Sequence, residues 1–186
     1  MMIFNLFFSS KIASRFVLGL LLIICYFVQG FAQDTTVVFN PLAEAEKEMI
    51  GQTAPDFELT TLKGKKVKLS ALRGKIVVLN FWYLGCAPCV REFPQLNELV
   101  AQFKKKKVVF LAISVSGRTE AIGVFLKRKP LDYQVIASDF TVAKQYKVML
   151  YPTNLVIDKE GIIRYVKVAY DEQLVEKMQK EIKKLL

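Results

Sequence analysis

Residues 75–82, Lys-Ile-Val-Val-Leu-Asn-Phe-Trp, lead through three further positions into Cys86-Ala87-Pro88-Cys89, and an amphipathic pattern follows from 87 to 103. This strand, pair and helix constrain the fold more than any other part of the chain. An apolar strand without alternation must be covered on both faces, which predicts a parallel-type strand inside a sheet layered between helices. The cysteine pair then falls on a helix N-terminus. The first sulfur meets unpaired backbone N–H groups and the positive end of the helix dipole there, and both favour its thiolate. The second cysteine lies one turn further on, close enough to close a disulfide. On the motif alone three readings stay open: a redox centre, a plain structural disulfide, or half of a metal site.

The first 32 residues stand apart. They contain no acidic residue, carry Lys11 and Arg15 ahead of the apolar run 16–28, and end in Gly30-Phe31-Ala32. This pattern predicts a secretory signal cleaved after Ala32. The alternative is an uncleaved membrane anchor, but the apolar run is about 13 residues against the roughly 20 that a spanning helix needs. Cys25 follows Ile24, which is too large for a lipoprotein signal. Residues 33–48 are expected to be a leader with no obvious core face, and 49–186 the folded domain. Export would place the mature chain in the bacterial periplasm, with no stable membrane insertion once the signal is removed.

Cleavage would leave 154 residues, enough for one domain with a sizeable core. It would leave two cysteines, both in the pair. The whole chain carries a net charge of +10, and loss of Lys11 and Arg15 brings that to +8. The densest basic run, Lys104 to Lys107, reads as a solvated helix end, and no nucleic-acid partner is expected. The chain has no histidine. That excludes Ser-His-Asp and Cys-His hydrolases, histidine metal sites and histidine-ligated haem. Two cysteines cannot form a Cys₄ zinc site, so no metal is expected.

Further along, 56–60 and 66–69 form a hairpin around Lys63-Gly64, and Ser70 is placed to cap one turn before Gly74. Strands are expected at 76–82, 108–113, 133–137, 153–157 and 162–168. Helices are expected at 118–128 (with Ile122, Val124, Phe125 and Leu126 inward), 140–146, and after Asp171 as a cap, with Leu174, Met178, Ile182 and Leu185 at helical spacing. This is an α/β arrangement with helices on both faces of the sheet.

On a helix advancing about 100° per residue, Phe93, Leu96, Leu99, Val100 and Phe103 share a face with Cys89. Arg91, Gln95, Glu98 and Gln102 lie on the opposite, wet face. Glu92 falls at about 300° from Cys89, inside the apolar stripe. A carboxylate there is desolvated, which raises its pKa and suits it to take a proton from Cys89. Cys86, nearest the helix end, is the expected nucleophile, and Cys89 the resolving thiol.

The strand ending in Trp82, the pair Cys86–Cys89 and Tyr151-Pro152-Thr153 at a late strand together resemble the thioredoxin superfamily, in particular the exported TlpA/ResA-like thiol-disulfide oxidoreductases. The resemblance spans about residues 50–186. It includes the opening Ile50-Gly51-Gln52-Thr53-Ala54-Pro55-Asp56-Phe57, also shared with peroxiredoxins, and C-x-x-C-x-x-E-x-P at Cys86 to Pro94. The long stretch between the strand at Val108 and Pro152 resembles the extra helix and strand of that group. The chain departs from the pattern at Gly85, where tryptophan is frequent, and at Leu150, where glycine is common; both departures bear on substrate choice.

The resemblance implies a thioredoxin-like fold with a central mixed sheet, an N-terminal hairpin and a helix–strand insertion. It implies a functional Glu92, replacing the acid that plain thioredoxin carries where this chain has Asn80. It implies a cis Pro152 facing the pair and offering backbone to substrate. Trp82, Tyr83, Ala87, Pro88, Tyr151 and Pro152 are the expected substrate contacts, and Pro94 is expected to bend the helix. The implied activity is thiol-disulfide exchange in the reducing direction on exported proteins that carry cysteines, with apocytochrome c a plausible substrate. A membrane or periplasmic thiol donor would restore the enzyme, which needs no cofactor beyond the Cys86–Cys89 disulfide. A peroxidase on this scaffold would carry P-x-x-x-T-x-x-C, with proline at Leu79 and threonine at Tyr83. A copper carrier would carry C-x-x-x-C and a histidine. The chain has neither.

Overall fold

A computed structural model describes residues 40–186. The segment expected to be a secretory signal, and 33–39 of the leader, lie outside the described residues. In chain order the elements are helix α1 (Pro41–Met49), the hairpin of β1 (Glu58–Thr60) and β2 (Lys66–Lys68), and a 3₁₀ turn (Leu69–Leu72). Next come β3 (Ile76–Trp82), α2 (Ala87–Phe103), β4 (Val108–Ser114), α3 (Thr119–Arg128), β5 (Gln134–Ala137) and α4 (Phe140–Gln145). The chain closes with β6 (Thr153–Ile157), β7 (Ile163–Val168) and α5 (Leu174–Leu185).

The main sheet has the order β5-β4-β3-β6-β7. β3 lies at its centre, parallel to β4 and antiparallel to β6. All seven residues of β3 are buried, because the strand has neighbours on both edges and cover on both faces. Val77, Leu79 and Phe81 face one core, shared with Phe57, Val67, Leu69 and Tyr146. Ile76, Val78 and Trp82 face a second core, against Phe93, Leu96 and Leu99 of α2 and Leu174, Met178 and Ile182 of α5. The period-2 geometry of the strand therefore sorts one apolar run into two cores. α3 and β5 extend the sheet beyond β4, as expected for the helix–strand insertion, and α2 continues through Pro94.

Four local expectations are corrected. The segment 40–48 is not a faceless leader: Asn40 caps α1 through bonds from the Leu42 and Ala43 N–H groups, and α1 docks on β7. Met49 is buried, and Glu46 Oε1 accepts from Lys167 Nζ at 3.0 Å and from the Val168 N–H at 2.9 Å. Only Leu42, Ala45 and Met49 carry its inner face, too sparse a stripe to stand out in the sequence. In α3, Val124 is 51 % exposed and Ile122 is the buried residue. The turn at Leu69–Leu72 has no side-chain cap; the Ser70 N–H instead donates to Asp56 Oδ1. Asp171 organises the turn before α5, accepting from the Gln173 N–H and pairing with Lys177, and the helix itself starts at Leu174.

Candidate active site

β3 ends at Trp82, and the loop 83–85 turns the chain into α2. Gly85 sits at φ +89°, a conformation that favours glycine over the tryptophan of the family pattern. The Leu84 N–H donates to Ser116 Oγ at 2.8 Å, which ties this loop to the segment following β4. Cys86 is the N-cap of α2. Its Sγ accepts from the Cys89 N–H at 3.2 Å, and Cys86 and Cys89 are joined in a disulfide with Cα atoms 5.3 Å apart.

Both cysteines are sealed in this oxidised form: Cys86 is 1 % exposed and Cys89 0 %. In the disulfide both sulfurs pack into the core that holds Trp82 and Phe93. Around the pair, Gly85 and Ala87 are exposed and Pro88 is half-buried. Trp82 is fully buried, stacked edge-on against Phe93 with ring centres 5.3 Å apart. It supports the pair from beneath, and the expectation that it contacts substrate is corrected.

Glu92 is fully buried on α2, one turn after Cys89. Its Oε2 accepts from Asn154 Nδ2 at 3.0 Å, and Asn154 Oδ1 accepts from Asn80 Nδ2 at 2.9 Å. The β3–β6 register makes this possible by setting Asn80 directly opposite Asn154. Burial raises the Glu92 carboxyl to about 7; the Asn154 hydrogen bond opposes that rise, the Asp171 charge adds to it, and the Asp171 backbone N–H opposes it more weakly. Glu92 Oε1 has no hydrogen-bond partner, nor do Asn80 Oδ1, Gln95 Oε1 and the Tyr133 and Tyr165 hydroxyls. Burial, and then the charge of Glu92, holds the Tyr133 phenol well above its ordinary range. Gln95, expected on the wet face, is half-buried. Asn154 was not among the expected site residues. The signal available in the sequence was a lone amide immediately before the apolar run 155–157, within the expected strand 153–157.

The Tyr151–Pro152 peptide is cis, as the resemblance implied, and Pro152 is buried. The Pro152 carbonyl accepts from the Ala169 N–H at 2.8 Å. The backbone of this loop that is left for a partner is thus that of Tyr151. Tyr83, 40 % exposed, meets Tyr151 edge-on with ring centres 5.4 Å apart. Both line an open cleft of about 430 Å³ with Leu84, Arg118 and Phe140. Phe140, Met149 and Leu150 add exposed apolar surface on the segments around it. Among the described residues no cluster of three metal-ligating side chains occurs.

A five-strand mixed sheet with a cysteine pair at the N-terminus of its central helix and a cis proline after Tyr151 defines a thioredoxin-fold thiol-disulfide oxidoreductase. Residues 50–166 match the AhpC/TSA family, and the chain belongs to it. It is similar to the thiol-disulfide oxidoreductase ResA of Bacillus thuringiensis subsp. konkukian (strain 97-27), 37 % identical over 168 residues, covering 89 % of this chain and 92 % of the relative. Among solved structures it resembles a thiol-disulfide oxidoreductase from Bacteroides fragilis NCTC 9343, with TM-score 0.62, 31 % identity, and coverage of 70 % and 99 % of the two chains. The thioredoxin domain of a thiol-disulfide oxidoreductase from Bacteroides vulgatus superposes with TM-score 0.65 at 25 % identity, covering 72 % of this chain and 97 % of that one.

Proposed function

We propose that this enzyme reduces disulfides of exported proteins in the bacterial periplasm, with apocytochrome c among its substrates. Cys86 attacks, Cys89 resolves and Glu92 is the base. In the reduced enzyme the Cys86 thiolate, favoured by the Cys89 N–H and the end of α2, attacks one sulfur of a substrate disulfide. A mixed disulfide forms and the first substrate thiolate leaves, taking a proton from solvent. The Cys89 thiol then gives its proton to the Glu92 carboxylate and attacks Cys86 Sγ. The second substrate thiolate departs and the Cys86–Cys89 disulfide closes. The substrate gains two electrons and the enzyme loses two, which a thiol donor outside the domain restores.

One observation carries the exchange chemistry of this reading: a carboxyl raised to about 7 is buried one turn from Cys89, itself 0 % exposed. A shielded thiol cannot hand its proton to water, so resolution in the reducing direction needs an internal acceptor. Export is supported by the pattern of residues 1–32. Among the described residues no helix is long and apolar enough to cross a membrane. Tyr83, Tyr151 and the Tyr151 backbone before Pro152, with Ala87 and Pro88, form the surface that receives the substrate segment.

Expressing Cys89→Ser in the native compartment tests this reading, because resolution stops at the mixed disulfide. Exported proteins, apocytochrome c included, should be recovered linked through Cys86. In vitro the reduced enzyme should reduce an oxidised C-x-x-C-H peptide. Absence of adducts together with failure to reduce the peptide would overturn the assignment.

A further inference from the structure

Asn154 takes no part in the exchange steps, yet its side chain is wholly buried and spans the gap between Asn80 and Glu92. A buried amide in an apolar strand is retained at a stability disadvantage unless its donors and acceptor are used. Here they are used in one direction. Asn80 Nδ2 occupies the Asn154 oxygen, which leaves the Asn154 amide hydrogens to point at Glu92. They hold Oε2, while Oε1 stays without a partner.

We propose that Asn154, oriented by Asn80, is a positioning residue that clamps Oε2 of Glu92 and leaves Oε1 as the oxygen that takes the proton from Cys89. The inference rests on the reading of Glu92 as the base toward Cys89. Asn154 is the one side chain that donates a hydrogen bond to Glu92 among the described residues. The other groups around Glu92 cannot replace it. α2 contributes Cys86, Cys89 and the amide of Gln95; its Arg91 lies over the Tyr170 ring, 5.0 Å from the centre. Tyr133, just before β5, contributes its phenol, and β7 contributes Tyr165 and Lys167, the latter paired with Glu46 of α1. The turn before α5 contributes Asp171, paired with Lys177. No cation neutralises Glu92, so its ionised form is favoured by hydrogen bonding alone, chiefly from the Asn154 amide and less from the Asp171 backbone N–H, whose effect the Asp171 charge opposes.

The test measures resolution of a preformed mixed disulfide against pH, with alkylation of Cys86 as a control. In the parent the rate rises with pH as Glu92 ionises. Asn154→Leu keeps the volume and removes the donor. Its midpoint should move up by about one pH unit, with resolution at pH 6.5 falling about tenfold and Cys86 alkylation unchanged. Placed in the Glu92→Gln background, Asn154→Leu should add no further pH effect. In the parent itself the Asn154 side-chain amide resonances should titrate together with Glu92, a measurement that needs no folded variant. A folded Asn154→Leu with the parent midpoint, or Asn154 resonances flat across the Glu92 titration, overturns the positioning role. If Glu92→Gln already shows the parent pH profile, it is the base assignment that fails.

Discussion

The two faces of β3 and β6 are built from alternate residues of the same strands and have opposite characters. On the hairpin side, Val77, Leu79, Phe81, Leu155 and Ile157 pack against Phe57, Leu69 and Tyr146, whose hydroxyl is satisfied by the Pro55 carbonyl at 2.8 Å. On the α2 side, Asn80, Asn154 and Glu92 interrupt an otherwise apolar layer, and six buried polar atoms on this side, Trp82 Nε1 among them, lack partners. A buried polar atom left without a partner costs about 1–3 kcal/mol. One face therefore holds the fold and the other gives up stability to keep a proton acceptor beside the cysteines.

The sharpest break between the faces is Cys86→Ser. Exchange should fall to the uncatalysed rate, measured as substrate disulfide reduction, while the hairpin face and the thermal unfolding of the reduced protein stay close to the parent. Glu92→Gln comes next. Resolution of the mixed disulfide should slow by about 10²–10⁴, with the first attack by Cys86 less affected; parent rates across pH 6 to 8 would place Glu92 outside the chemistry.

On the other face, Leu79→Ala should destabilise the protein by about 2–5 kcal/mol in denaturant unfolding, through the cavity it leaves. The pH profile of exchange should not move, and a shifted profile would mean that the faces are coupled. A subtler contrast is the pH dependence of stability. Glu92 binds its proton more tightly when folded, since its carboxyl is raised from 4.5 to about 7. Its contribution is full below pH 4.5 and is lost as pH rises through 7, a loss of about 3 kcal/mol. Unfolding free energies of the parent minus those of Glu92→Gln should fall by that amount between pH 4.5 and 8; a flat difference would mean that Glu92 is hydrated. The smallest effect is at the surface. Tyr83→Ala with Phe140→Ser should raise KM for a protein substrate by about tenfold, of the order of one lost contact patch, and leave turnover of a small disulfide unchanged. An equal loss on both substrates would mean that the cleft serves the cysteines rather than the substrate.

The sequence by itself determined what depends on near neighbours. The bounds of β3 and α2 were legible in apolar run and helical period, Cys86 as the helix cap in its place between them, and Glu92 as a buried acid in the angle it makes with Cys89. The hairpin and the alternation of strands and helices were legible for the same reason. Tertiary structure decided what depends on partners far along the chain. Asn80 and Asn154 are 74 residues apart and meet only because β3 and β6 pair in one register. The docking of α1 on β7, the burial of the Cys86–Cys89 disulfide and of Trp82, and the meeting of Tyr83 with Tyr151 arise in the same way. A local pattern records which face of an element is apolar, and only the packed molecule settles which residue stands opposite it.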